Sequence, residues 1–187
     1  HIEQFGIPDL IILDMRLLQE DHLQDTDEKA ISGIKLLKYI KEEINKGIQV
    51  IMLTASGKSK ILDEANKSNI VGYIQKEHPE DKTNNTLQTM DDLFFLVEKG
   101  LQRKYLKYIF LTHVEISTIL QNNPFSKYEK LIYLDYLKLL EKNSEYIFDI
   151  LDSNLENKFN YAMLSIATSL EAIVKIFFDG SDELTFW

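Results

Sequence analysis

Residues 8–14 read PDLIILD and residues 48–54 read IQVIMLT, and these two short runs decide the fold class. Each is a block of Leu, Ile, Val and Met that closes on one polar residue, Asp14 in the first and Thr54 in the second. A strand with one wet face alternates apolar and polar residues. A strand covered on both faces does not, so continuous apolarity points to a parallel sheet with helices on both sides. A third run, Val71–Ile74 (VGYI), stands just before Lys76. Between the runs lie helical patterns. Ile34, Leu37, Ile40 and Ile44 fall at helical spacing over 33–44, and a shorter stretch over 60–67 offers Ile61 and Leu62 as anchors. Strand, helix, strand, helix, strand is the βαβ order of an open α/β sheet.

Such sheets bind ligands outside the carboxyl ends of their strands. The polar residues at those ends are Asp14, Thr54 and Lys76, so a carboxylate, a hydroxyl and an ammonium are expected on one edge. An ionised carboxylate can attack phosphorus and form an acyl phosphate. An ammonium pairs with a phosphoryl oxygen as a compact charge, and a threonine hydroxyl can hydrogen-bond another. A divalent cation would offset charge repulsion with the donor phosphoryl, and Mg²⁺ prefers oxygen ligands.

The segments PDLIILD, SGIKLLKYI, VIMLTAS and GYIQK together resemble the second half of a two-component response-regulator receiver domain, over residues 7–77. The resemblance implies a flavodoxin-like, doubly wound parallel sheet, present here in part. It makes Asp14 the phospho-acceptor, Thr54 (followed by the small Ala55) the switch hydroxyl, Lys76 the conserved-type lysine and Tyr73 the rotating aromatic. Mg²⁺ would be held by Asp14 and the backbone carbonyl of Arg16. The interval from Thr54 to Lys76, 76 − 54 = 22 residues, is ordinary for that family.

The chain also departs from the family pattern. The acidic pair that follows the family's first strand has no counterpart, because the chain starts at His1-Ile2-Glu3-Gln4. That start reads as a fragment or a processed chain. The family's first strand lies beside the strand carrying Asp14, and its loss would leave unpaired backbone groups on one side. The stretch after Asp14, MRLLQEDHLQDTDEKAIS, is long and acidic. It lacks the ligand spacing and central glycine of an EF-hand, so it is read as a solvated loop, or else as a docking loop. Glu77 stands where the family usually has proline.

Composition narrows the classes. The 187 residues carry 21 Lys+Arg and 30 Asp+Glu, a net charge of −9, which argues against a general nucleic-acid binder. Hydrophobic residues make up 44%, enough for a core. Zero cysteines remove disulfides, thiol nucleophiles and thiolate metal sites and fit a cytoplasmic protein. No apolar run approaches the ~18 residues of a membrane span. His1, His22, His78 and His113 show no zinc spacing, and no GxSxG elbow or phosphate-binding glycine loop occurs.

The polar stretch from His78 to Gln88 marks the expected boundary between residues 1–87, a partial receiver, and residues 88–187, an all-helical output or dimerisation domain. One helix is expected from Met90 toward Ile109, with Asp91 and Asp92 at its start and Gly100 as a weak point. After Asn122-Asn123-Pro124, Ser126 and Glu129 have capping-box spacing. Helices are expected over 127–140 and, separately, 144–151. Phe159, Met163, Ile166, Leu170, Ile173 and Phe177 step by 4, 3, 4, 3, 4. This seam is expected inside a helical bundle, or else in a homodimer interface. Arg103, Lys104 and Lys107, interleaved with Tyr105 and Tyr108, form a basic cluster with no recognition-helix signature behind it. The terminal DELTFW offers Leu184, Phe186 and Trp187 for docking.

The expectation is a phosphorylation-dependent signalling protein of a two-component system, a regulatory phospho-acceptor rather than an enzyme. Its partner would be a sensor histidine kinase or phosphotransfer protein, with a second copy of the chain as a candidate. The alternatives are a non-phosphorylated pseudo-receiver that binds protein partners, and a helical effector enzyme whose pocket would gather titratable groups.

Overall fold

A computed structural model describes residues 6–18, 21, 31–55, 59–76, 86–122 and 129–179. The Ser126 cap, Glu77, the DELTFW terminus, most of the acidic stretch and the side chains of Ile61, Leu62, Ile173 and Phe177 lie outside the described residues. The chain divides into two compact units, residues 1–107 and residues 108–187.

The first unit is α/β. Strands β1 (Leu10–Asp14), β2 (Gln49–Thr54) and β3 (Gly72–Gln75) form a parallel sheet in the order β1-β2-β3. Leu10 pairs with Gln49 and Asp14 with Leu53, while Ile51 pairs with Gly72 and Thr54 with Gln75. Two crossovers link the strands. The first holds α1 (Ser32–Tyr39), continued by a π-helical turn over Ile40–Ile44, and the second holds α2 (Ser59–Lys67).

Successive residues of β2 point to opposite faces, and each face has its own core. Val50 and Met52 join Leu13, Ile34, Leu37, Ile40 and Ala65, the face that α1 and α2 cover. Ile51 and Leu53 join Val71, Ile74, Leu93, Leu96 and Val97, which bring in α3 (Thr86–Gln102). The uninterrupted apolar run of β2 thus reflects cover on both sides. The first strand is less enclosed than its LIIL sequence suggests, since Ile12 is 47% exposed. Among the described residues β1 is an edge strand that pairs only with β2.

The expected division at residues 87 and 88 differs from the observed one. Through Leu93, Leu96 and Val97, α3 packs on the sheet and belongs to the first unit. It ends at Gln102, so the expected helix from Met90 to Ile109 is two helices. Arg103 N–H donates to Gly100 O (3.0 Å) and Lys104 N–H to Leu101 O (3.2 Å), bonds that tighten the turn before α4 (Tyr105–Asn122). Asp91 and Asp92 lie in the second turn of α3, not at its start. Gly100 is buried, and a β-carbon there would stand 2.9 Å from Leu10 Cδ1. Its absent side chain therefore lets α3 approach β1.

The basic cluster also resolves differently from its sequence appearance. Lys107 is buried, ion-paired with Asp9, and donates to Ile7 O (2.9 Å). Its backbone carbonyl accepts from Asn45 Nδ2 (3.1 Å). Lys107 is thus committed to structure rather than offered to a phosphate backbone.

The second unit holds the rest of α4, α5 (Glu129–Asp152) and α6 (Lys158–Asp179). Helix α5 runs unbroken through 129–140 and 144–151, where the sequence pattern points to two helices. No Gly or Pro separates Leu140 from Ser144, and the Ser144 hydroxyl is absorbed by Glu141 O (2.7 Å). Phe110 meets Phe148 edge-on at 5.9 Å. Lys158 Nζ donates to Leu151 O (2.9 Å), a cation against the free carbonyls that end α5. Among the described side chains of α6, Ala162 and Ser169 are buried, and Asn143 Nδ2 of α5 donates to Ser169 Oγ (2.7 Å). Of the seam residues whose side chains are described, Phe159 is 55%, Met163 64% and Leu170 57% exposed, and Ile166 and Leu170 line a cleft with residues of α4 and α5. Small side chains allow close backbone approach, so the face of Ala162 and Ser169 rests on α5 while Met163 and Leu170 are left exposed.

Glu64 ties the helices on one face of the sheet together. It accepts from Lys38 of α1 (2.6 Å) and Lys67 of α2 (2.9 Å). These bonds, Lys38 first, pull its pKa from 4.5 down to about 2. The folded pKa lies below the unfolded one, so the stabilisation is complete above about 4.5 and is lost as pH falls toward about 2. Urea midpoints of wild type and Glu64→Gln should therefore differ at neutral pH and converge through that window.

Candidate functional site

The parallel register brings the carboxyl ends of β1, β2 and β3 to one edge of the sheet. At the end of β1, Asp14 is about one-third exposed. Its Oδ1 accepts the Arg16 backbone N–H (3.3 Å), and its Oδ2 is ion-paired with Lys76 Nζ. Lys76 is placed by its own backbone, whose N–H donates to Thr54 O (2.6 Å) and prolongs the β2–β3 ladder by one residue. The carboxylate and the ammonium thus meet across the sheet edge, 62 positions apart in sequence. With both partners open to water, the pair contributes at most about 1 kcal/mol to stability.

Thr54 ends β2 between them, but its side chain is only 1% exposed. The sequence places a hydroxyl at the strand end. The structure places it beneath the surface at which Asp14 and Lys76 meet. Tyr73 lies on the exterior, 44% exposed. It borders a groove of about 390 Å³ with Gln75 and, from α3, Thr89, Asp92 and Phe95.

The loop below Asp14 is fixed by contacts that sequence reading did not single out. Met15 is buried, its N–H donates to Leu53 O (2.8 Å), and its carbonyl accepts from Gly33 N–H (3.0 Å). A β-carbon on Gly33 would lie 2.3 Å from Asp14 O. Only glycine lets the start of α1 approach the backbone of the acidic residue this closely.

Asp21, counted in the sequence among the solvated acids, is buried. One oxygen accepts the Ser32 backbone N–H (3.0 Å). The other accepts the Leu18 N–H (3.0 Å) and the Ser32 hydroxyl. The Ser32 Oγ in turn accepts from Leu17 N–H (2.9 Å). Burial pushes the Asp21 pKa up, but the bonds from Ser32, Leu18 and Leu17 outweigh it and hold the carboxyl below its usual range. An N-terminal capping group supplied from eleven residues upstream leaves no local sequence signature, which is why the residue was missed.

Asp14 and the Arg16 carbonyl were the expected Mg²⁺ ligands. Among the described residues no group of three His, Cys, Asp or Glu side chains is placed to hold a metal ion, and the Asp14 carboxylate is engaged by Lys76. These residues do not form a divalent-cation site by themselves. In the helical unit, a cleft of about 290 Å³ is lined mainly by Ile, Leu, Ser, Thr and Asn, without an ionisable side chain. It is not the titratable pocket that an effector enzyme calls for. No helix among the described residues is long and apolar enough to cross a membrane.

No family model, curated protein or solved structure matches the chain.

Asp21 accepts several hydrogen bonds as a buried anion. Asp21→Ala should therefore cost about 2 kcal/mol in chemical denaturation and speed proteolytic cleavage between β1 and α1, whereas an unstructured acidic loop would show neither effect.

Proposed function

We propose that the first unit is a receiver-like phospho-acceptor module and that Asp14 accepts the phosphoryl group. The observation that carries this reading is the meeting of Asp14, at the end of β1, and Lys76, just after β3, with Thr54 closing the strand between them. A carboxylate oxygen of Asp14 would attack phosphorus while the bond from phosphorus to the donor's leaving group breaks. The donor would be a phosphohistidine of a sensor kinase or phosphotransfer protein. Lys76 would then exchange its pairing with Asp14 for one with a phosphoryl oxygen, a change of local charge rather than of fold. Thr54 would have to come to the surface to bond the phosphoryl group, and the position it leaves beside β3 is the place toward which Tyr73 would turn. In this reading the sheet belongs to the flavodoxin-like class. Mg²⁺ takes part only with oxygen ligands from beyond the described residues.

A second reading has an observation of its own. The burial of Thr54, and an edge at which no group of three His, Cys, Asp or Glu side chains among the described residues is placed for a metal ion, suit a pseudo-receiver, in which the Asp14–Lys76 pair only shapes a protein-binding surface.

The two readings separate on one experiment. The protein is incubated with a small acyl-phosphate donor, with and without Mg²⁺, and its intact mass is recorded. The phospho-acceptor reading expects one hydroxylamine-sensitive phosphoryl group, lost in Asp14→Asn and strongly reduced in Lys76→Met, with stability changed by less than about 1 kcal/mol. No incorporation, or incorporation that persists in Asp14→Asn, overturns it in favour of the pseudo-receiver.

A further inference from the structure

The division between the two units falls inside α4, directly after Lys107. The first turn of that helix therefore belongs to the sheet unit. Local bonds set its shape: Leu106 N–H donates to Arg103 O (3.0 Å) and Lys107 N–H to Lys104 O (3.2 Å). Two distant segments set its place. Ahead of β2, the buried Asn45 donates its Nδ2 to Lys107 O (3.1 Å) and accepts Gly47 N–H on Oδ1 (2.8 Å). The Gly47 backbone lies so close that a β-carbon there would stand 2.3 Å from Leu106 O. Ahead of β1, Ile7 O accepts from the Lys107 ammonium (2.9 Å), and Asp9 pairs with it.

The two members of that ion pair are placed unequally. The Lys107 side chain is 8% exposed and the Asp9 side chain 35%, while Asp9 Oδ1, the atom that meets the ammonium, is itself buried. An ammonium at this depth is stable only while a carboxylate neutralises it. With the carboxylate charge removed, the ammonium gains by returning to water, and the turn that carries it is drawn from its place. Asp9, one-third exposed, can instead turn to water without moving the helix.

We propose that the Asp9–Lys107 pair is a charge-gated latch on the root of α4. Closed, it makes residues 103–107 a fixed junction on the sheet unit. Open, it frees them as a linker and leaves the sheet intact. The chemistry of the pair favours a latch over a plain packing contact. Apolar residues of the same shape would hold the turn as well or better, whereas loss of one charged partner leaves the other buried without compensation. The contact thus has two states that a single charge decides. It lies at the amino end of β1, the end opposite Asp14, and stands apart from the phospho-acceptor reading.

The test is amide hydrogen exchange on the whole chain. The bonded N–H groups of Arg103, Lys104, Leu106 and Lys107 report the junction, and those of Val50, Ile51 and Met52 in β2 are the internal reference. Asp9→Asn keeps the side-chain shape and removes its charge. It should raise exchange at the junction at least ~10-fold while β2 changes by less than about 3-fold. Lys107→Met removes the charge that seeks water and fills nearly the same space. Alone it should leave the junction within about 3-fold of wild type, and combined with Asp9→Asn it should restore the lost protection. A merely structural contact would leave the double variant at least as open as either single one. The proposal is overturned if Asp9→Asn leaves the junction closed, if it opens β2 to the same degree, or if Lys107→Met fails to rescue it.

Discussion

Parallel pairing of β1 and β3 on the two sides of β2 is the constraint from which the first unit follows. Parallel strands cannot be joined by a hairpin, so each connection must cross over, and the helices of the crossovers cover the sheet. The three strands run the same way, so their carboxyl ends fall on one edge. Asp14 and Lys76 meet there because Asp14 closes one outer strand and Lys76 follows the other, with Thr54 ending β2 between them. A hairpin sheet with the same strands would have sent neighbouring ends to opposite edges.

That edge is stiffened by polar groups buried just below it. Asp21 takes up donors from both ends of the loop after β1, and Gly33 gives α1 room to lie against the backbone of Asp14 and Met15. On the far side of the unit, Asn45 reaches the Lys107 carbonyl, while the Lys107 ammonium pairs with Asp9 and Ile7 O. Each is a polar side chain with its partners supplied by a distant segment, the condition under which a buried polar group fixes a structure rather than weakening it. The carboxylate at the edge thus has a rigid base and an exposed, weakly held ion pair. A small charged group can displace such a pair without disturbing the core.

The helical unit follows a different logic. Its hydrogen bonds between helices, such as Asn143 to Ser169, Ser117 to Glu141 (2.6 Å) and His113 with Ser144 (2.8 Å), run through short polar side chains. Helices packed on small residues lie close together, and their bulky apolar side chains are then displaced to the flanks. The exposure of Met163 and Leu170 on α6 follows from this choice of contact face.

Sequence alone determined the α/β class of the first unit, the order and bounds of its strands to within a few residues, the core stripe Ile34, Leu37 and Ile40, and the polar residues at the strand ends. These are local properties, because period, run length and terminal residue identity are written in neighbouring positions. Tertiary structure decided the rest. It made α3 part of the sheet unit, buried Thr54 and Lys107, turned Asp21 into a helix cap and left Met163 and Leu170 of α6 exposed. In each case the outcome rests on a partner tens of residues away or on a competition between two faces of one helix. A one-dimensional pattern names the candidates in that competition, but only packing in three dimensions ranks them.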